Sequence, residues 1–211
     1  MEALHNVMNR KNAKGDFVLG PLPYTDDYLE PFIGERTIRY HYWGHLKAYI
    51  EAVNRLKTSS PQESLTIEEL IKCNEPFDNA IYRNASQVYN HYLYFAQLNS
   101  RGNKRPMART LRLIEGTFGS FDKMKASIAE AAMSIFGSGW VFLVAHNDNT
   151  LEIVTHTGTG TPRNCTILIA LDMWEHAYYL DYHNHKAKYI EQFFAAIDWS
   201  VVERRCDFLG F

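Results

Sequence analysis

The stretch Trp140 to Leu171, WVFLVAHNDNTLEIVTHTGTGTPRNCTILIAL, decides the fold. It contains three short runs, Trp140–His146, Leu151–Thr155 and Thr166–Leu171, rich in β-branched and aromatic residues. Asn147-Asp148-Asn149 and a Gly/Thr-rich connection separate them, so three β-strands are predicted. The chain before this stretch follows a different period. Ile38, Tyr42, His45, Tyr49, Val53 and Leu56 recur at spacings of three and four, which predicts a helix over Glu35 to Lys57. A second long helix is expected from Asp78 to Leu98, with Ala85, Val88, His91, Tyr92 and Phe95 broadly on one side. Between them, Thr66 to Lys72 opens with the capping signal Thr-x-x-Glu. The polar stretch Asn99 to Pro106 reads as a loop and the boundary between two subdomains. Further helices are expected over Ala108–Glu115 and Ser120–Phe136, then around Trp174–Tyr182, Ala187–Ala196 and after Asp198. The sum is an all-helical N-terminal half and an α+β C-terminal half.

Composition removes several classes of function. With 46% hydrophobic residues among 211, the chain can bury a substantial core and is not disordered. No run approaches the roughly 20 apolar residues that a membrane helix needs. The opening MEALHNVMNRKNAKGDFVLG has no apolar core typical of a secretory signal, and a cytoplasmic setting is expected. A net charge of −2 argues against nucleic acid as a partner, because phosphate binding needs an excess of Lys and Arg. Cys73, Cys165 and Cys206 are odd in number and widely spaced, which suggests neither a disulfide framework nor a thiolate zinc site.

Histidines flanked by aromatics are the candidates for chemistry. Asp172 and His176 lie four apart directly after a predicted strand. A helix starting there would present both from one side, as two metal ligands or as a helix cap and a hydrogen-bonded core histidine. His91, mid-helix, is either a buried structural histidine or a ligand, and Gln87 one turn earlier shares its face. His41 and His45 are also four apart. Both could hold one ion, or one could be a ligand while the other lines its approach, with Tyr49 a further turn along. His146 and His156 read as strand-end or surface residues, and His183 and His185 fall in a polar stretch with Lys186 nearby. HExxH, a Gly-rich phosphate loop, G-x-S-x-G and the paired Glu-x-x-His of di-iron bundles are all missing.

Four motifs, in order, resemble the iron/manganese superoxide dismutases from about Leu22 to Asp198. They are LPY…LEP followed by H-Y-x-x-H-x-x-x-Y at His41–Tyr49, N-A-x-Q-V-x-N-H at Asn84–His91, FGSGW at Phe136–Trp140, and DxWEHAYYLDY at Asp172–Tyr182. The resemblance implies an N-terminal antiparallel hairpin of long helices packed on a C-terminal α/β subdomain with a three-stranded antiparallel sheet. The expected divisions are an arm over 1–20, the hairpin over 21–104 and the α+β subdomain over 105–211. It implies metal ligands His41, His91, Asp172 and His176, holding one ion per subunit with a solvent molecule as fifth ligand. Gln87 would hydrogen-bond that solvent, Tyr49 and His45 would line the substrate funnel, and Trp140 and Trp174 would form its apolar wall. Glu175 would cross a two-fold interface to the partner's His176, and Tyr179 would meet the partner's His45, in a homodimer or a tetramer. The implied substrate is superoxide.

Gln87 on the second long helix is the arrangement of the family's iron members, so iron is expected first. Thr159, where iron members carry Ala, leaves manganese, or use of either metal, open. Gly44 and Leu46 replace a Lys and a His near the entrance, and His183 and Lys186 stand where arginines are usual. Two other readings are a non-haem iron oxygenase with two histidines and a carboxylate, which calls for a jelly roll, and a non-catalytic metal-binding homologue.

Overall fold

The computed structural model describes residues 2–207. A short helix α1 (Glu2–Met8) opens the chain where sequence reading placed only a polar arm. Met8 is buried, and Asn9 accepts from the Ile67 N–H while donating to Glu68. Tertiary contacts therefore hold a helix too short to persist alone.

The first long helix consists of α2 (Glu35–Tyr40), a π-helical turn over His41–Leu46, and α3 (Lys47–Lys57). The wide turn falls at the predicted histidine pair, in keeping with the habit of π-turns to occur at functional sites. Helix α4 (Ile67–Asn74) begins at Thr66, whose hydroxyl accepts from the Glu69 N–H while the Glu69 carboxylate accepts from the Thr66 N–H. Helix α5 (Ala80–Ala96) is capped by Asn79 and packs against α3 and α4. Its stretch from Ala85 to Phe95 is almost wholly buried, because one side faces the hairpin and the other faces the C-terminal half.

After the loop come α6 (Ala108–Phe118) and α7 (Phe121–Ser134), the latter capped by the Ser120 hydroxyl. Strands β1 (Gly139–Ala145), β2 (Leu151–Thr157) and β3 (Thr166–Asp172) form an antiparallel sheet in the order β2-β1-β3. Central β1 is buried along its length, and Trp140 pairs with His156 on one side and Asp172 on the other. A methyl group on Gly139 would stand 2.3 Å from the His156 carbonyl oxygen, so β1 needs glycine there. A short 3₁₀ turn (Glu175–Ala177), α8 (Tyr179–Tyr182), α9 (Lys186–Ala196) and α10 (Trp199–Cys206) complete the chain. The architecture is an α-helical hairpin on an α+β half with a three-stranded sheet, and the jelly roll of the oxygenase reading is not what the chain forms.

The two halves are clasped beside β3. The Gln97 side-chain amide, just past α5, donates to the Ala170 carbonyl at 2.5 Å and accepts from the Ala170 N–H at 3.1 Å. Buried Arg205 of α10 donates to the Leu93 and Leu168 carbonyls and to Gln97 Oε1. These bonds set the position of α5 against the strand that ends in Asp172.

Candidate metal centre

Four side chains from four places in the chain converge between the halves. His41 comes from the π-turn, His91 from α5, Asp172 from the end of β3 and His176 from the 3₁₀ turn. One donor atom from each lies within 4.8 Å of all the others. Asp172 Oδ2 stands 3.1 Å from His41 Nε2, 3.3 Å from His176 Nε2 and 3.8 Å from His91 Nε2. His91 and His176 present their Nε2 atoms to each other at 3.3 Å. His41, His91 and Asp172 are fully buried, and His176 is nearly so.

Asp172 and His176 meet for a reason other than the expected one. Asp172 ends the strand, Trp174 is extended, and only then does the chain turn. The Trp174 N–H donates to Asp172 Oδ1 at 2.8 Å, which leaves Oδ2 aimed at the three rings. Strand end plus turn, rather than one helix face, makes the pair.

This donor set fits a cation. His41 Nε2 and Asp172 Oδ2 are buried with no hydrogen-bond partner, an arrangement that costs free energy unless something else takes up their lone pairs. Burial pushes the His41 imidazole down to about 4 and the His91 imidazole well below its ordinary value, so both are neutral with lone pairs free. Burial alone would raise the Asp172 carboxyl, but the facing His176 and His41 outweigh it and hold it well below the usual carboxylate range. Neutral imidazoles and an ionised carboxylate are the states that metal binding requires. The His91 Nδ1–H donates to the Gln87 carbonyl at 2.7 Å, which fixes Nε2 as the donor atom for an ion. Three nitrogens and one oxygen suit a first-row metal with a coordination position left open.

Further side chains surround the four converging residues. Trp140 Nε1–H donates to Gln87 Oε1 at 2.9 Å, and the Gln87 Nε2 amide donates to the Tyr49 hydroxyl at 3.4 Å. Burial raises the Tyr49 phenol to about 12, assisted by the Asp172 charge and opposed by the Gln87 amide. Trp140 meets His91 edge-on at 5.2 Å, and Trp174 stacks on His176 at 5.7 Å. His45 is not one of the converging ligands. Its ring stacks on His176 at 4.1 Å and is solvent-exposed, so of the pair four apart only His41 joins the cluster. Glu175 and Tyr179 are exposed on the same stretch of chain. His183 is exposed against Tyr179, Thr159 and Lys186 are partly buried, Gly44 is exposed and Leu46 is buried in the core.

Sequence reading missed the supports behind the four converging side chains. The Tyr189 hydroxyl donates to the Asp172 carbonyl at 2.9 Å and lies 3.1 Å from the Tyr94 hydroxyl. Phe95 meets His41 edge-on at 4.7 Å. Tyr94, three residues after His91 on α5, was the one signal available, because helix geometry turns it towards the same half.

Residues 16–99 match the family described as iron/manganese superoxide dismutases, alpha-hairpin domain. Residues 106–205 match the same family's C-terminal domain. The chain is 38% identical over 190 residues to the superoxide dismutase [Fe] of Escherichia coli K12, covering 89% of this chain and 97% of that protein. It is 37% identical to the superoxide dismutase [Fe] of Legionella pneumophila over 87% of this chain and 95% of that one. It is 39% identical to the superoxide dismutase [Fe] of Bacteroides fragilis, over 87% and 96%.

Proposed function

The chain belongs to the iron/manganese superoxide dismutases, and from that membership we propose how its residues divide the work. It converts two superoxide anions and two protons into dioxygen and hydrogen peroxide. His41, His91, Asp172 and His176 hold one iron ion per chain. When bound there, iron supplies the one-electron couple that takes an electron from one superoxide and returns it to the next. The observation that carries this assignment is the pair of orphaned, buried donor atoms, His41 Nε2 and Asp172 Oδ2, aimed at the same point as the other two imidazoles.

The remaining residues act on substrate and protons. Gln87 is locked by Trp140, so its Nε2 amide has one direction to point, towards the Tyr49 hydroxyl and the centre. An amide so fixed would be placed to hydrogen-bond a solvent molecule at the centre, and a bound ion's potential would be tuned through such a bond. Tyr49, with its phenol raised, stays protonated at neutral pH and holds a proton at its hydroxyl beside His91 and Gln87, where it would be available to the reaction. Trp140, Trp174 and the stacked His45 keep bulk water from the ligands, while His45 and Tyr49 line the approach of the anion.

Glu175 and Tyr179 meet a second copy of the chain as a homodimer. We divide the chain into an arm over 1–20, a hairpin over 21–104 and an α+β unit over 105–211. Cys73, Cys165 and Cys206 are free thiols, in keeping with a cytoplasmic location. No helix among the described residues is long and apolar enough to cross a membrane.

Elemental analysis of purified protein, paired with superoxide-consumption assays after reconstitution with iron or with manganese, tests this reading. One iron per chain and rapid dismutation without any organic substrate are expected. His91→Ala and Asp172→Ala lose metal and activity together. Full metal content in either variant would remove the ligand assignment, and activity confined to manganese would overturn the choice of iron.

A further inference from the structure

The connection from Gly158 to Thr161 touches the surroundings of two ligands at once. The Gly158 carbonyl accepts from the indole N–H of Trp174 at 3.2 Å, and Trp174 stacks on His176. Two residues on, the Gly160 carbonyl accepts from the Asn90 side-chain amide at 2.8 Å. The Thr161 hydroxyl donates to the other end of that amide. Asn90 is fully buried and immediately precedes His91 on α5. Four residues of loop thus join the helix of His91 to the turn of His176.

What holds the loop in place is His156. It pairs with Trp140 across β1 and β2, so both side chains project to the same face of the sheet, towards α5. Its ring meets Phe142 edge-on at 6.1 Å and lies directly against Gly160. A methyl group at Gly160 would stand 2.3 Å from His156 Nδ1 and 2.7 Å from Cγ. Gly160 is therefore glycine because an imidazole occupies its side-chain space. Burial lowers the His156 imidazole, which keeps it a neutral packing group.

We propose that Gly158–Thr161, seated against the His156 ring, is a brace that fixes His91 relative to His176, with His156 and Asn90 as positioning residues. The brace rests on the reading of these side chains as an iron centre.

The test uses full-length, iron-loaded protein with two readouts, the ferric electron paramagnetic resonance spectrum and the half-time of iron loss to a chelator. Gly160→Ala is expected to shift the ferric signal and to shorten the half-time by about tenfold, the size typical of losing an outer partner of a ligand. His156→Ala removes the ring on which the loop is seated and is expected to move both readouts in the same direction. A Gly160→Ala spectrum identical to wild type, or a His156→Ala protein with both readouts unmoved, overturns the brace. If Gly160→Ala does not fold, Trp174→Phe decides. It removes the N–H that reaches Gly158 and keeps an aromatic ring on His176, so a shifted ferric signal at unchanged melting temperature is expected, and an unmoved signal refutes the proposal. Wild-type protein that takes up no iron would sink the functional reading and the brace with it, whereas iron-loaded wild type with unmoved variants sinks the brace alone.

Discussion

Asp172 divides its two oxygens between structure and chemistry. Oδ1 is satisfied by the Trp174 N–H, and Oδ2 faces three imidazoles in a dry site. This crowding has a consequence for the metal-free protein. Burial holds the His41 ring down at about 4 and the His91 ring well below its ordinary value, while the same rings in the unfolded chain titrate near ~6.5. Between those limits the unfolded chain binds more protons, so stability falls as pH drops from about 6.5 towards 4. Asp172 acts in the same direction at lower pH. Its depressed carboxyl contributes stability above the unfolded value of about 3.9, and that contribution is lost as pH falls further. Urea unfolding of the metal-free protein at a series of pH values should show this decline, and His41→Gln should flatten it. An equal slope in the variant would mean that His41 is not held neutral by the fold. Sequence alone left each of these histidines poised between ligand and structural residue, because burial and convergence belong to the folded chain. The four motifs taken in order pointed to the four side chains that converge, and His45 shows why spacing by itself could not. Like His41 it lies on the first long helix, yet its ring stacks against the centre without entering it.

Helix α5 is the element on which the centre depends, since it carries Gln87, Asn90 and His91 between the two halves. Its extent was readable from periodicity to within two residues at each end, and α4 was readable from its capping box. The three strands were likewise legible, because β-branched runs between turn-formers leave few alternatives. Other features depend on contacts distant in sequence. The seven residues of α1 carry no strong helical period of their own, and the π-turn in the first long helix interrupts no hydrophobic spacing. Gln97 and Arg205, which clasp α5 to β3, read as ordinary polar residues until the fold buries them. Arg205 donates to two backbone carbonyls and to Gln97, with no ion-pair partner among the described residues, and burial lowers it to about 10. Arg205→Met keeps much of the volume but leaves the Leu93 and Leu168 carbonyls without their donor. A loss on the order of 3 kcal/mol is expected, read as a lower urea midpoint, together with faster iron release as α5 loosens from the strand of Asp172. An unchanged midpoint would show that the clasp contributes nothing net.

The molecule leaves several large aromatic side chains in water. Phe136 is 98% exposed, Tyr40 55%, Tyr179 46% and Trp43 43%. Glu175 is also exposed, with no hydrogen-bond or ion-pair partner among the described residues, beside a His176 whose ring lies against exposed His45. An exposed aromatic such as Tyr179 close in the chain to an unpaired carboxylate is what an interface presents before its partner arrives, since aromatic anchors dominate interface energetics. A homodimer through this face would cover His45 and Glu175 together and narrow the approach to the centre. Truncating one member of a buried, hydrogen-bonded charge pair costs 2 kcal/mol or more as a rough figure, so Glu175→Ala should weaken the dimer by about thirtyfold. Sedimentation equilibrium over a concentration series measures that shift directly. Because Glu175 supplies none of the four ligand atoms, the variant should still take up one iron per chain when assembled. A wild-type chain that sediments as a monomer, or a Glu175→Ala dimer as tight as wild type, would take this face out of the assembly.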